Sequence, residues 1–115
     1  MNWKHLEDVA QLEQIVNESE NKPVMIFKHS TRCSISASAL NRVERAWAEK
    51  ADETLTPYFL DLLNHREISN EISSRFNIEH QSPQALVISK GKCVYDASHM
   101  NINLPEIISQ AQFVA

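Results

Sequence analysis

Two cysteines stand sixty positions apart in this 115-residue chain, Cys33 and Cys93, and Cys33 is the one that combines basic neighbours with a helix start. A thiol attacks a disulfide only as its thiolate, a form favoured by a helix N-terminus and by nearby Arg or Lys. Arg32 directly precedes Cys33, and Lys28 lies at the end of the apolar run before it. An amphipathic pattern begins right after it, so the backbone N–H groups of Ser34, Ile35 and Ser36 are placed to point at the sulfur. Polar residues on both sides, His29 to Arg32 and then Ser34 and Ser36, set Cys33 apart from the small buried cysteine of an apolar core. Cys93 shares a strand face with Tyr95 and Ala97 and reads as a packed thiol.

Three residues past Cys33, where a dithiol oxidoreductase would place its second cysteine, the chain has Ser36. A Cys-x-x-Cys site resolves its own mixed disulfide, whereas a Cys-x-x-Ser site holds it until an external thiol attacks. Monothiol exchange is therefore the expected chemistry, with Ser36 either a donor to the thiolate or a solvent-facing serine. His29 and His99 are titratable groups in reach of a relay role, but each reads first as a polar or capping residue. Pro83, in Gln81-Ser82-Pro83-Gln84, is either an ordinary strand-entry proline or a cis proline in a tight turn.

The elements that must position these residues follow from periodicity. Val9, Leu12, Ile15 and Val16 predict a helix over 7–19, and Val24-Met25-Ile26-Phe27 a central strand buried on both faces. Ile35, Ala39, Leu40, Val43 and Trp47 predict a helix over 33–50, with Trp47 in the core. Tyr58 to Leu63 reads as a second buried strand, followed by a helix that Asn64 and Glu67 introduce as a capping box. Ala85 to Ile88 and Cys93 to Ala97 flank a Gly91 turn, which is a hairpin signal, and Asn103 with Glu106 opens a last helix. The order predicts an α/β fold: a three-layer α/β/α sandwich whose mixed sheet of about four strands ends in a β-hairpin and a final helix. Function in such sheets gathers at the carboxyl ends of the strands, where Cys33 lies.

Composition narrows the class. The length suits a single domain over 1–115, and 43% hydrophobic with 23% charged residues supports a packed core. A net charge of −4 argues against a nucleic-acid partner. No apolar run approaches the ~20 residues that span a bilayer, and Lys4, Glu7, Asp8 and Glu13 interrupt any signal-peptide pattern, so a cytoplasmic, membrane-free monomer is expected. Two cysteines at this spacing make neither a disulfide framework nor a zinc site, and no metal is expected.

A cysteine opening the helix after the central strand, a serine three residues later and a proline opening the hairpin together resemble the thioredoxin fold. By that resemblance Pro83 is cis and faces the Cys33 sulfur. The run Lys28-His29-Ser30-Thr31-Arg32-Cys33-Ser34-Ile35-Ser36, the segment His80-Gln81-Ser82-Pro83-Gln84 and the weaker Ala97-Ser98-His99 resemble the YtxJ-type monothiol bacilliredoxins over nearly the whole chain. The resemblance implies a redox protein that strips bacillithiol, a small thiol bearing carboxylates and an amine, from S-thiolated proteins. Cys33 would be the attacking sulfur, bacillithiol a co-substrate with no tightly bound cofactor, and Pro83 the cis proline. Lys28 and Arg32 would pair with the ligand carboxylates, and the Ser82 main chain with the ligand backbone. Two positions depart from the pattern: Ser34 stands where many members have proline, and Cys93 is outside it.

Two rival classes share such a scaffold. A peroxiredoxin-like peroxidase has Pro seven and Thr or Ser three residues before its cysteine; Ser30 fits and Ile26 does not. A non-enzymatic binding module would keep the scaffold with an ordinary thiol at Cys33.

Overall fold

The computed structural model describes residues 1–114. In chain order the elements are β1 (Lys4–His5), α1 (Gln11–Glu18), β2 (Val24–His29), α2 (Ser34–Ala46), α3 (Glu49–Thr54), β3 (Thr56–Asp61), α4 (Arg66–Phe76), β4 (Gln84–Ser89), β5 (Lys92–Ser98) and α5 (Leu104–Val114), with a 3₁₀ turn at His99–Asn101. The mixed sheet runs β1-β3-β2-β4-β5, with β1, β3 and β2 parallel and β4 and β5 antiparallel to their neighbours. Five strands stand where about four were expected. The added one, β1, is a two-residue edge strand with both side chains exposed, so it has no apolar pattern to reveal it.

β2 is hydrogen-bonded on both edges, which is why all six of its residues are buried. Strand side chains alternate between faces. Val24 and Ile26 accordingly pack with Leu12 and Ile15 of α1 and Ile68, Ile72 and Phe76 of α4. Met25 and Phe27 pack on the opposite face with Ala39 and Val43 of α2, Ala51 of α3, and Leu104, Ile107 and Ala111 of α5.

Four boundaries differ from the sequence reading. The second buried strand, expected over Tyr58 to Leu63, spans Thr56–Asp61, and Leu62 and Leu63 fall in the turn after it. The first helix begins at Gln11 instead of residue 7, because Gln11 Oε1 and Asp8 Oδ1 accept the N–H groups of Glu7, Asp8 and Ala10 and form a turn there. The long helix predicted over 33–50 breaks at Trp47 and Ala48, which are extended. Trp47 is partly buried against the α2 side of the core and donates its indole N–H to Asp52 at 2.7 Å. Asn64 does not cap α4; its amide goes to Asp61 Oδ2 at 2.7 Å, and His65 occupies the N-cap position. The last helix does start as read, with the Glu106 N–H donating to Asn103 Oδ1 at 3.1 Å.

The hairpin turn uses two positive-φ residues, Lys90 (52°) and Gly91 (77°), as a tight two-residue connection requires. Buried Ser19 at the end of α1 ties this turn down. Its carbonyl accepts the Lys90 N–H and its hydroxyl oxygen accepts the Gly91 N–H, both at 2.9 Å. Ser19→Ala should lower stability by about 1 kcal/mol, since one N–H loses its acceptor. An unchanged urea midpoint would show that the Ser19 hydroxyl does not hold the turn.

Candidate active site

The carboxyl end of β2 carries two polar residues that, as strand neighbours, point to opposite faces. Lys28 goes to the α4 side and His29 to the α2 side, and each holds one of the two loops around Cys33.

His29 is 8% exposed, and its Nδ1 lies 2.7 Å from Ser36 Oγ. The same Oγ accepts the Ser30 N–H at 3.0 Å. Burial holds the His29 imidazole below its usual pKa, against the opposing pull of Asp61 and Glu44. The ring is therefore neutral near pH 7, and its Nδ1 and the Ser36 hydroxyl share one hydrogen bond whose direction follows the imidazole tautomer. Ser36 is fully buried and thus neither a solvent-facing serine nor a free donor to a thiolate. It clamps the cysteine loop onto the first turn of α2. Sequence reading left His29 as a polar residue without a partner, because nothing in a linear pattern shows that residues seven apart across a loop meet.

Cys33 is partly exposed and occupies the N-cap position of α2 with extended backbone angles (φ −115°, ψ 119°). Its carbonyl accepts the Ala37 N–H, opening the helix, and its own N–H donates to Ser30 O at 3.2 Å. Among the described residues no side chain caps this helix start and no acidic residue lies in its first turn. The N–H groups of Ser34, Ile35 and Ser36 lack intrahelical partners and remain available to an anion at the sulfur.

The second loop approaches from β4. The Ser82–Pro83 peptide is cis. Gln84 pairs with Lys28 in the sheet, so Pro83 stands next in register, beside the end of β2 from which the cysteine loop departs. Pro83 O accepts the His99 N–H at 3.1 Å, and His99 has a positive φ of 54°. Its backbone thereby joins the proline loop to the 3₁₀ turn, and no side-chain hydrogen bond of His99 is found among the described residues.

Lys28 departs from its expected position. Its place on β2 sends the side chain through the α4 face, where it is fully buried. The ammonium donates to His80 Nδ1 at 2.6 Å and to Gln84 Oε1 at 3.0 Å. It is therefore not presented to a ligand carboxylate. Gln84 in turn donates to Glu79 O at 3.1 Å and accepts the Gln81 N–H at 3.4 Å, so Lys28 and Gln84 together pin the segment leading into Pro83. Burial lowers the Lys28 pKa from 10.5 to about 8. His80 is held below its usual range by burial, then by the Lys28 and Arg66 charges. Of the other expected ligand contacts, Arg32 is exposed on the cysteine loop, and Ser82 is partly exposed beside Pro83.

Cys93 also moves. A bulge at Val94, where Val87 pairs with Tyr95 but Ile88 with Cys93, reverses the side-chain phase. Cys93 packs on the α1 and α4 side, whereas Tyr95 and Ala97 pack on the other. Its thiol is pushed up to about 11, mainly by burial and then by Asp96. Cys93 is level with Ile88 and hence Val24, the start of β2, while Cys33 lies beyond its end. Five strand residues of roughly 3.3 Å each separate the two levels, well past the ~7 Å Cα limit of a disulfide.

These features define a thioredoxin-fold redox protein with one cysteine at a helix start and a serine in place of the second. The chain belongs to the family described as monothiol bacilliredoxin BrxC, whose model matches residues 4–107. A solved structure described as a candidate oxidoreductase with a thioredoxin fold is 31% identical, with TM-score 0.78, covering 94% of this chain and 91% of that one. Thioredoxin from Malassezia sympodialis (13% identity, TM-score 0.76, 98% and 90% covered) and from Fasciola hepatica (18%, 0.71, 97% and 99%) share the fold. No described helix is long and apolar enough to cross a membrane.

The buried lysine has a pH signature. Its folded pKa lies below the unfolded one, so between about pH 8 and 10.5 the unfolded chain binds more protons. Stability attributable to Lys28 therefore rises with pH across that window. The wild type should gain on Lys28→Met as pH climbs from 8 to 10.5, with a limit of about 3 kcal/mol at about 1.4 kcal/mol per unit. Parallel urea-stability curves for the two proteins would refute the assignment.

Proposed function

We propose that this chain is a monothiol thiol–disulfide oxidoreductase that removes bacillithiol from S-thiolated proteins through Cys33. The observation that carries the reading is a partly exposed cysteine at an uncapped helix start with no partner sulfur: Ser36 is locked to His29, and Cys93 sits at the other end of the sheet. Family membership supplies the substrate class.

The Cys33 thiolate attacks the bacillithiol sulfur of the target's mixed disulfide. The target cysteine leaves as a thiolate and takes a proton from water, and bacillithiol remains disulfide-bonded to Cys33. A second bacillithiol thiolate then attacks the bound bacillithiol sulfur, releasing bacillithiol disulfide and the Cys33 thiolate; another redoxin can supply this reducing step. The electrons come from the second thiol, so no tightly held cofactor is required. The free N–H groups at the α2 start meet the anionic sulfur, Arg32 pairs with ligand carboxylate, and the Ser82 main chain receives the ligand backbone as an added strand. A reducing cytoplasm is where such a cycle runs, and the partners are thiolated proteins and the small thiol itself.

Incubation of the reduced protein with a bacillithiolated model protein and free bacillithiol should remove the adduct, as followed by intact mass. Cys33→Ala should abolish removal, and Cys93→Ala should retain the wild-type rate. Loss in both variants would replace the scheme with a two-cysteine couple. An inactive wild type would end the reading, and turnover of peroxide instead would assign the protein to the peroxidase class.

A further inference from the structure

A pocket of about 220 Å³ lies between the cysteine loop and the start of α4, lined by Thr31, Arg32, Leu63, Asn64 and Arg66. Its position follows from the sheet: β2 and β3 are parallel, and the Leu62 N–H donates to His29 O at 3.1 Å, so the loops leaving the two strands run side by side. Arg32 is bonded directly to Cys33, which puts the pocket within one residue of the reactive sulfur.

The charge of the pocket is one-sided. Two of its five lining residues are arginines and none is acidic. Among the described residues neither arginine forms an ion pair; the pairs present are His65–Glu67, Arg75–Glu13 and Arg75–Glu71. Asp61 accepts the Asn64 amide at Oδ2, 2.7 Å, with its Oδ1 unpartnered, and Glu67 lies 3.7 Å from His65; neither carboxylate lines the pocket or pairs with an arginine. In a chain of net charge −4, two guanidinium groups lining one pocket with no ion-pair partner of their own suit an external anion. Guanidinium groups grip carboxylates through paired N–H donors, and Thr31 and Asn64 add further polar contacts.

We infer that this pocket is the carboxylate subsite for the small thiol, with Arg66 the specificity-determining residue beside Arg32. The identification of that thiol as bacillithiol rests on the proposed function; the pocket itself specifies a low-molecular-weight thiol or disulfide bearing at least two carboxylates. Arg66 takes the part that sequence reading assigned to Lys28. It lies on a different element, thirty-three residues after Cys33, and no local motif connects the two.

The test compares two disulfide probes in a Cys93→Ala background, so that Cys33 alone reacts. Dithiobis(nitrobenzoate) carries two carboxylates and dithiodipyridine is neutral; in each case the Cys33 thiolate displaces one aromatic thiolate, whose colour gives the rate. Arg66→Gln should lower the rate with the anionic probe about tenfold, the equivalent of one lost charge-assisted contact, and leave the neutral probe unchanged. Salt should erase the difference. Lys92→Gln, exposed on β5 at the far end of the hairpin, removes the same net charge and should leave the ratio of rates intact. An unchanged ratio in Arg66→Gln, or an equal fall in Lys92→Gln, would overturn the inference. With a bacillithiolated protein, Arg66→Gln should raise KM and spare kcat. A wild type inactive on that substrate whose probe ratio still depends on Arg66 would refute the bacillithiol reading and leave the anion subsite standing.

Discussion

The site depends on the period-two alternation of one strand. β2 is paired on both edges, so its backbone position is fixed and its last two side chains, Lys28 and His29, are sent to opposite faces of the sheet. Each then meets a polar partner from a different loop. His29 reaches Ser36 and through it Ser30, which sets the cysteine loop. Lys28 reaches His80 and Gln84, which sets the approach to Pro83. Two adjacent residues thereby hold the cysteine loop and the proline loop, and a register slip of one would send each side chain to the other face, away from its partners.

Both anchors are buried polar groups, and burial of such groups is costly unless they are hydrogen-bonded, as both are. The Lys28 ammonium meets two neutral acceptors and no carboxylate, so nothing offsets the burial that lowers its pKa. The Ser36 hydroxyl is taken up by His29 on one side and by the Ser30 N–H on the other. The serine that replaces a second cysteine is thus a structural member of the loop, which removes an internal resolving group and fills its place with a clamp.

The sequence and the fold agree best where periodicity is strong. The buried runs of β2 and β4, the apolar stripe of α2 and the Gly91 turn follow from residue spacing and backbone sterics, and they appear where expected. The discrepancies have local causes. Asp8 and Gln11 shorten the first helix, Trp47 breaks the second, Asn64 turns to Asp61, and the bulge at Val94 moves Cys93 to the other face. In each case a side-chain contact or one extra strand residue overrides a pattern that is only statistical in the chain.

By itself the sequence determined the α/β class, the place of Cys33 at a helix start, the absence of a second sulfur three residues on, and the proline before the hairpin. These are short-range properties, carried by residues within a few positions of one another. Tertiary structure alone decided which cations are accessible, what Ser36 bonds to, and how far Cys93 lies from Cys33. The reason is that burial and pairing depend on contacts between segments tens of residues apart. Lys28 and Arg66 are both basic in the chain, but strand phase buries the ammonium, whereas the start of α4 leaves the Arg66 guanidinium lining the pocket beside the cysteine loop.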